Sequence, residues 1–392
     1  MDVITAAILA IAIPFVFAAI APALSKASPK LQGWLATVGI LISAVLVAWI
    51  TPAVLRAKGP IVASYAWIPQ AGVHFALYLD PLGILLALIA SGFGFLALLY
   101  SVDDMEHEHG LGRYYMWMLM FIGSMVGLVL AGDLLLLFVF WEMTSLTSYG
   151  LIGFYKERRE DVSAALKAFV LTHVGGIFLL FGIFIAYLNT GTFLFSDIAA
   201  KGFPVGKEFW AGVAIASFLI GAIAKSVQFP MHNWLPSATV APSAVTALLH
   251  AAAMVKAGVY LVARMYTLFP EFMAASWHLV VVLIGAVTMV VGVMNALVQT
   301  GPEAAFGIPH DKPDWLHDNG ARLGHDARHR RRAFPLSKSR SLQGLSIFVR
   351  WRSNLRNRLQ KPRRLRWACK EHAGDRIRPH RGSSFHFGHS AV

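Results

Sequence analysis

Cysteine is almost missing from this chain. Its one thiol, Cys369, lies beyond residue 300, so residues 1–300 offer no thiolate to a haem or an iron–sulfur cluster. Charge is scarce as well. Asp, Glu, Lys and Arg make up 14% of the 392 residues, against about 25% in soluble domains. The shortage is uneven: residues 1–300 balance 14 Lys and Arg against 14 Asp and Glu, while residues 301–392 carry the whole formal charge of +13 and eight of the 15 histidines. No basic segment precedes the first apolar run, which argues against a cleavable signal peptide. GxxxxGK[ST], GxGxxG after a strand, CxxC and HExxH are also lacking, and with them the usual phosphate, dinucleotide and zinc chemistries. The triplet His107–Glu108–His109 sits in a polar loop and reads as solvated charge. We therefore expect no cofactor and no metal in residues 1–300.

What the chain has in quantity is apolar length. Hydrophobic residues are 57% of the total. Runs of spanning length, about 20 residues each, fall near 3–24, 33–55, 81–100, 115–132, 134–154, 163–188, 209–229, 243–267 and 277–299. PLGILLALIASGFGFLALLY, at 81–100, has no polar face, which excludes a soluble helical protein. The pattern predicts an all-α, multi-pass membrane bundle of about nine helices. Between the second and third runs, GPIVASYAWIPQAGVHFALYLD alternates and carries Pro and Gly, predicting a short hairpin on the membrane surface. Counts of Lys and Arg in the loops favour an outward N-terminus.

A few ionisable residues interrupt the runs, and these are the functional candidates. Lys225 ends the seventh run, and Pro230, Pro236 and Pro242 follow it. Pro230 has no N–H and its ring clashes with the carbonyl of Ser226, so a helix should break just after Lys225. Broken backbone at membrane depth survives only where it lines a cavity or is buried in protein. Glu142 lies mid-run in the fifth segment, with Ser145 and Tyr149 on its face. A lone carboxylate there must be neutral or paired with a cation, and as the residue it faces we expect Lys225 first, Lys256 second. His250 and Lys256 share the eighth run; on a regular helix they stand about 9 Å apart along the axis and about 120° apart around it, linked by water rather than by contact. Asp133 reads as a helix cap, and His173 in the sixth run is a weaker candidate. The competing reading is a structural ion pair that only fixes helix register.

FVFWEMTSLTSYGLIGF, IAKSVQFPMHNWLPSATVAPSAVTALLHAAAMVKAGVYLVAR and the LDPLG that opens the third run resemble the antiporter-like membrane subunits. These are shared by proton-pumping NADH:quinone oxidoreductases, Mrp-type Na⁺/H⁺ antiporters and membrane-bound hydrogenases. The resemblance covers roughly residues 1–300. It implies about fourteen helices arranged as two inverted five-helix repeats, each with a discontinuous helix. It implies that Glu142 and Lys225 are the family's Glu–Lys pair and that His250 is its relay histidine. Lys256, in HAAAMVKAG, is similar to the Mrp-type large subunit, and Gly176 stands where NADH-linked subunits usually show Asp. The expected partners are other membrane subunits of such a complex, with H⁺ and, as an alternative, Na⁺ as cargo, in the cytoplasmic (inner) membrane.

After Gln299–Thr300 the resemblance stops. The family continues DLKRLLAFHTISQIGYM where this chain reads GPEAAFGIPHDKPDWLH. Gly301–Ala304 written GGA CCT GAA GCG becomes Asp-Leu-Lys-Arg when the first base is dropped, and the codon of Trp315 shifts to Gly. These coincidences predict that residues 301–392 are an out-of-frame tail, disordered and without nucleic-acid binding, though HRRR and KPRRLRW make it basic. The expected organisation is three N-terminal helices (1–112), a first five-helix repeat (113–268), the first helix of a second repeat (277–299) and the tail, the rest of the second repeat being lost. On that reading a cation- and proton-translocating subunit is expected, impaired by the loss. The alternatives are an NADH:quinone oxidoreductase subunit proper, a stand-alone solute carrier and a non-transporting scaffold bundle.

Overall fold

The computed structural model describes residues 1–26, 28–204, 206–273 and 277–298. The tail predicted for 301–392 lies outside the described residues. Chain order runs α1 (Val3–Ile20), α2 (Pro29–Arg56), β1 (Ile61–Ile68), β2 (Val73–Leu79), α3 (Pro81–Asp104), α4 (Leu111–Leu130), α5 (Leu134–Ile152) and α6 (Arg159–Thr190). It continues through α7 (Phe195–Lys201), α8 (Glu208–Lys225), α9 (Trp234–Ser237), α10 (Ser243–Ala247), α11 (Met254–Leu268), α12 (Pro270–Phe272) and α13 (His278–Val298). Nine helices among the described residues are long and apolar enough to cross a membrane, α10 and α11 together forming one of them. The chain is a multi-pass membrane helix bundle.

Helices that are apolar on every side cannot sort their faces by polarity, so size does the sorting. On α3 the buried positions include Gly83, Ala87, Ala90, Ser91 and Gly94 beside the larger Ile84, Leu98 and Val102, whereas Leu85, Phe93 and Leu96 point outward. On α1 they include Ala6, Ala7, Ala10 and Ala18. Small residues let backbones approach and gain dispersion contacts that bulky, lipid-facing side chains do not need. α1 packs on α2 and α4, α2 on α3, α4 on α5, α5 on α6, α6 on α8 and α8 on α11. α4 is buried along most of its length, and α13 lies at the edge, with no residue of His278–Asn295 buried.

The predicted hairpin is present. β1 and β2 pair antiparallel, Ile61 opposite Leu79 and Ala66 opposite His74. The short link between α4 and α5 threads between β2 and the turn before α7: Gly132 N–H donates to Ala76 O (2.7 Å), Phe195 N–H to Gly132 O (2.9 Å) and Leu134 N–H to Phe193 O (2.9 Å). A Cβ on Gly132 would stand 2.8 Å from the carbonyl carbon of Leu77 and 3.0 Å from Tyr78 N. Only glycine lets three backbones cross so closely. Asp133 caps α5 as expected, accepting from the N–H groups of Leu135 (2.8 Å), Leu136 (3.2 Å) and His74 (3.4 Å).

α8 does stop at Lys225, and its end has a definite form. Gln228 N–H reaches back to Ile223 O (3.0 Å) and Ser226 N–H to Ala222 O (2.8 Å), with Val227 left-handed at φ 60°. This is the six-to-one closure of a Schellman cap, built on a β-branched residue where glycine is usual. Pro230 then starts a 3₁₀ turn over Met231–Asn233, Pro236 lies in α9, and Pro242 caps α10. Trp234 folds back beneath the break, its indole N–H donating to Ala224 O at 2.9 Å.

Candidate functional site

Lys225 is fully buried, and the Schellman cap aims its side chain at α5. Its ammonium donates to Trp141 O (2.9 Å) and to Thr144 Oγ1, and lies 5.0 Å from the centre of the Trp141 ring. The same carbonyl also accepts from the hydroxyls of Thr144 (2.7 Å) and Ser145 (3.3 Å). An ammonium without water is stabilised only by dipoles and counter-charge. Here neutral oxygen dipoles and a ring face supply the direct contacts, from residues that flank Glu142 in α5.

The direct partner of Glu142 is therefore not Lys225, which corrects the sequence expectation. Its Oε2 lies 2.5 Å from His173 Nδ1 on α6. The physical reason is steric. Gly176 stands one turn beyond His173, and a Cβ there would run into Glu142 Oε1. The missing side chain opens a recess in α6 that draws the carboxylate toward that helix. Oε1 itself is buried and has no hydrogen-bond partner among the described residues. Ser145, expected on the Glu142 face, turns back to its own helix, while Tyr149 is partly exposed and leans on Phe169 (5.4 Å between centroids).

His250 and Lys256 do not share one regular helix. Residues Leu248–Ala252 form a π turn, and Ala253, at φ −125° and ψ −76°, separates it from α11. The spacing expected on a regular helix fails, because the wider turn absorbs an extra residue between them. The run His250–Ala253 carries three alanines, which hold register weakly; such turns are frequent at functional sites. Among the described residues, His250 Nε2 is buried without a hydrogen-bond partner, and the side chain of Lys256, on α11, makes no hydrogen bond or ion pair.

Two features escaped sequence reasoning. The cluster Thr144, Ser145, Thr147 and Ser148, all buried, was visible in WEMTSLTS as hydroxyls inside a span, but which one meets Lys225 was not. The other is Arg264, near the end of the eighth run. It is buried, pairs through both nitrogens with Asp80 (2.8 and 2.9 Å) and sits against the rings of Tyr78, Phe195 and Tyr260. Asp80 belongs to the LDPLG segment, and also caps α3 by accepting from Gly83 N–H (2.9 Å). Glu108 of the polar loop accepts from the Tyr155 hydroxyl (3.1 Å), so it is less free than its loop position implied.

Residues 131–302 match the model of the family described as NADH:quinone oxidoreductase/Mrp antiporter, TM. Residues 67–115 match that of NADH-ubiquinone oxidoreductase (complex I), chain 5 N-terminus. The Na(+)/H(+) antiporter subunit A1 of Staphylococcus aureus is 36% identical over 293 residues, which is 74% of this chain and 36% of the relative. The chain thus spans about a third of the length of the curated relatives it matches. Among solved structures, the Mrp complex from Dietzia sp. DQ12-45-1b superposes with a TM-score of 0.68 at 33% identity, over 77% of this chain and 32% of that one. The membrane-bound sulfane sulfur reductase, an archaeal respiratory membrane complex, superposes with a TM-score of 0.66 at 26% identity, over 77% and 61%. Together with the broken α8 and the long motifs around Glu142 and Lys225, these matches place the chain in the antiporter-like membrane subunit family.

Proposed function

We propose that this chain is a membrane subunit of a cation- and proton-translocating complex of the cytoplasmic membrane, and that its proton path runs through Glu142, Lys225, His250 and Lys256. The observation that carries the reading is Lys225: a fully buried lysine at the end of a broken helix, held by one carbonyl and one hydroxyl with no carboxylate in contact among the described residues. A purely structural lysine would be expected to close an ion pair. One left on neutral acceptors of residues 141 and 144, on either side of Glu142 in α5, is poised between charged and uncharged states. Movement of Glu142 away from Lys225 makes the ammonium costly enough to give up its proton, and the return of Glu142 favours recapture. The π turn at His250, with an unpartnered ring nitrogen, supports a relay onward to Lys256 through water. The driving force comes from partner subunits or from a Na⁺ gradient.

Between complex types, Gly176 favours the Mrp-like reading. An aspartate there, as in NADH-linked subunits, would need the space that Glu142 fills. We read 113–268 as the first five-helix repeat and α13 as the start of a second. Proton and Na⁺ flux in vesicles carrying the complex assembled with its partner subunits tests the proposal. Glu142→Gln and Lys225→Ala should each abolish most of the flux; full flux in both variants would leave only the scaffold reading.

A further inference from the structure

We infer that His173 is a second proton-exchanging partner of Glu142, competing with Lys225 for its carboxylate, and that Gly176 is the recess that brings the carboxylate within reach. This rests on the proposed transport function and adds a group to its path.

The contact itself comes first. Imidazole and carboxylate meet at 2.5 Å, while the Lys225 ammonium is engaged by oxygen atoms of residues 141 and 144, on either side of position 142 in α5. Glu142 thus has one titratable partner in contact and a second held by its own neighbours in α5. His173 is also no loop histidine. It stands fourteen positions into α6, which is about 21 Å along a helix of that geometry, so it lies in mid-span. Its ring is stacked on Phe169 at 5.2 Å with an interplanar angle of 17°, and Phe169 leans on Tyr149 of α5. Stacking limits the ring to orientations that keep Nδ1 on Glu142. The side chain is nonetheless 47% exposed at the perimeter of the chain, against 19% for Glu142. With Nδ1 engaged, Nε2 is the nitrogen left to exchange protons with what lies beyond.

A ring with one nitrogen on a buried carboxylate and the other open can pass a proton inward. A proton arriving at Nε2 of the neutral ring makes the imidazolium. The Nδ1–H bond then breaks, an O–H bond forms at Glu142 Oε2, and the ring is left neutral with its proton on Nε2. One proton has entered and one has moved on, and the ring must exchange tautomer before the next. The neutral acid no longer compensates the Lys225 ammonium, whose own proton is then free to leave. Gly176 serves this by admitting Oε1 against α6, where a Cβ would push it away.

The rival role is a pin that only holds α5 against α6, and a charge-retaining substitution separates the two. In vesicles carrying the complex assembled with its partner subunits, proton flux is compared for wild type, Glu142→Gln, Lys225→Ala, His173→Gln and His173→Arg. We expect His173→Gln to lose at least about ten-fold in flux, and His173→Arg, which keeps the pairing charge but holds its protons, to remain as low. Wild-type flux in His173→Arg overturns the exchange role, since a pin would be restored by it. Full flux in Glu142→Gln and Lys225→Ala overturns the transport reading and this inference with it. A second measurement does not depend on transport: ¹⁵N spectra of histidine-labelled chain in lipid nanodiscs, with His173 assigned from the His173→Gln difference. Glu142→Gln should shift the His173 Nδ1 resonance, and an unmoved resonance overturns the pairing.

Discussion

Arg264 and Asp80, 184 positions apart in the chain, close a two-pronged ion pair at 2.8 and 2.9 Å, with the arginine side chain 1% exposed. The pair joins the start of α3 to the far half of α11. Through Arg264 Nε to the Tyr260 hydroxyl (3.2 Å), and from that hydroxyl to Val129 O (3.1 Å), it also reaches the end of α4. The helix that follows the His250 turn is thereby fixed to the N-terminal half of the bundle.

Removing one partner of such a pair leaves a buried charge alone, at a cost of about 3–5 kcal/mol. Arg264→Met should lower the thermal midpoint of the detergent-solubilised chain markedly. The double variant Arg264→Met/Asp80→Asn should recover much of the loss, because neither residue then carries an uncompensated charge. A double variant no better than the single one would show that packing by the guanidinium, not charge, is what matters.

Val227 makes a contrast with Val245. Left-handed backbone costs a β-branched residue about 1–3 kcal/mol, so Val227→Gly relieves strain while losing the contacts of a partly buried side chain. The two effects nearly cancel, and thermal stability should change by less than about 1 kcal/mol. Val245 is fully buried in α10. There the same substitution loses both packing and helix propensity, about 3 kcal/mol in sum.

Gly132 and Gly92 form a second contrast. An added methyl at Gly132 meets backbone of β2 that cannot step aside, and at Gly92 it meets nothing within 4 Å. Gly132→Ala should reduce the yield of folded chain or its thermal midpoint by an amount equivalent to more than about 2 kcal/mol. Gly92→Ala, inside α3, should be neutral or stabilising by up to about 1 kcal/mol.

Asp133 lies between spans, in the link from α4 to α5. Burial pushes its carboxyl up from the ordinary 3.8, against the opposing pull of the N–H groups of Leu136, Leu135 and His74. A raised folded value means that the native state holds the proton more tightly. The contribution of this group is therefore most favourable below 3.8 and falls as the pH rises through the raised folded value. Asp133→Asn keeps an acceptor for the cap and removes the titration, so the pH dependence of the thermal midpoint between about pH 3 and about pH 7 should flatten. Asp133→Ala, which strips the cap, should cost about 1–2 kcal/mol at either end.

The spans, the hairpin, the break after Lys225 and the cap at Asp133 could all be read from the sequence, because each follows from a local cause. Apolar length requires a bilayer, alternation with Pro and Gly makes a hairpin, and Pro230 denies α8 its next turn. The rarity of charge in the runs also singled out Glu142, Lys225, His250 and Lys256, since each is costly at that depth. What the sequence could not decide is which costly groups meet. Glu142 lies beside His173 instead of in contact with Lys225 because Gly176, thirty-four residues away in the chain, leaves a recess at that height of α6, and a recess exists only once two helices are packed. The phase between His250 and Lys256 depends on a π turn that several alanines permit and only the surrounding helices select. Arg264 has no acidic partner in its own segment, and only the fold brings Asp80 to it. Local chemistry thus set the elements and their expensive residues, while steric fit between distant helices chose the partners.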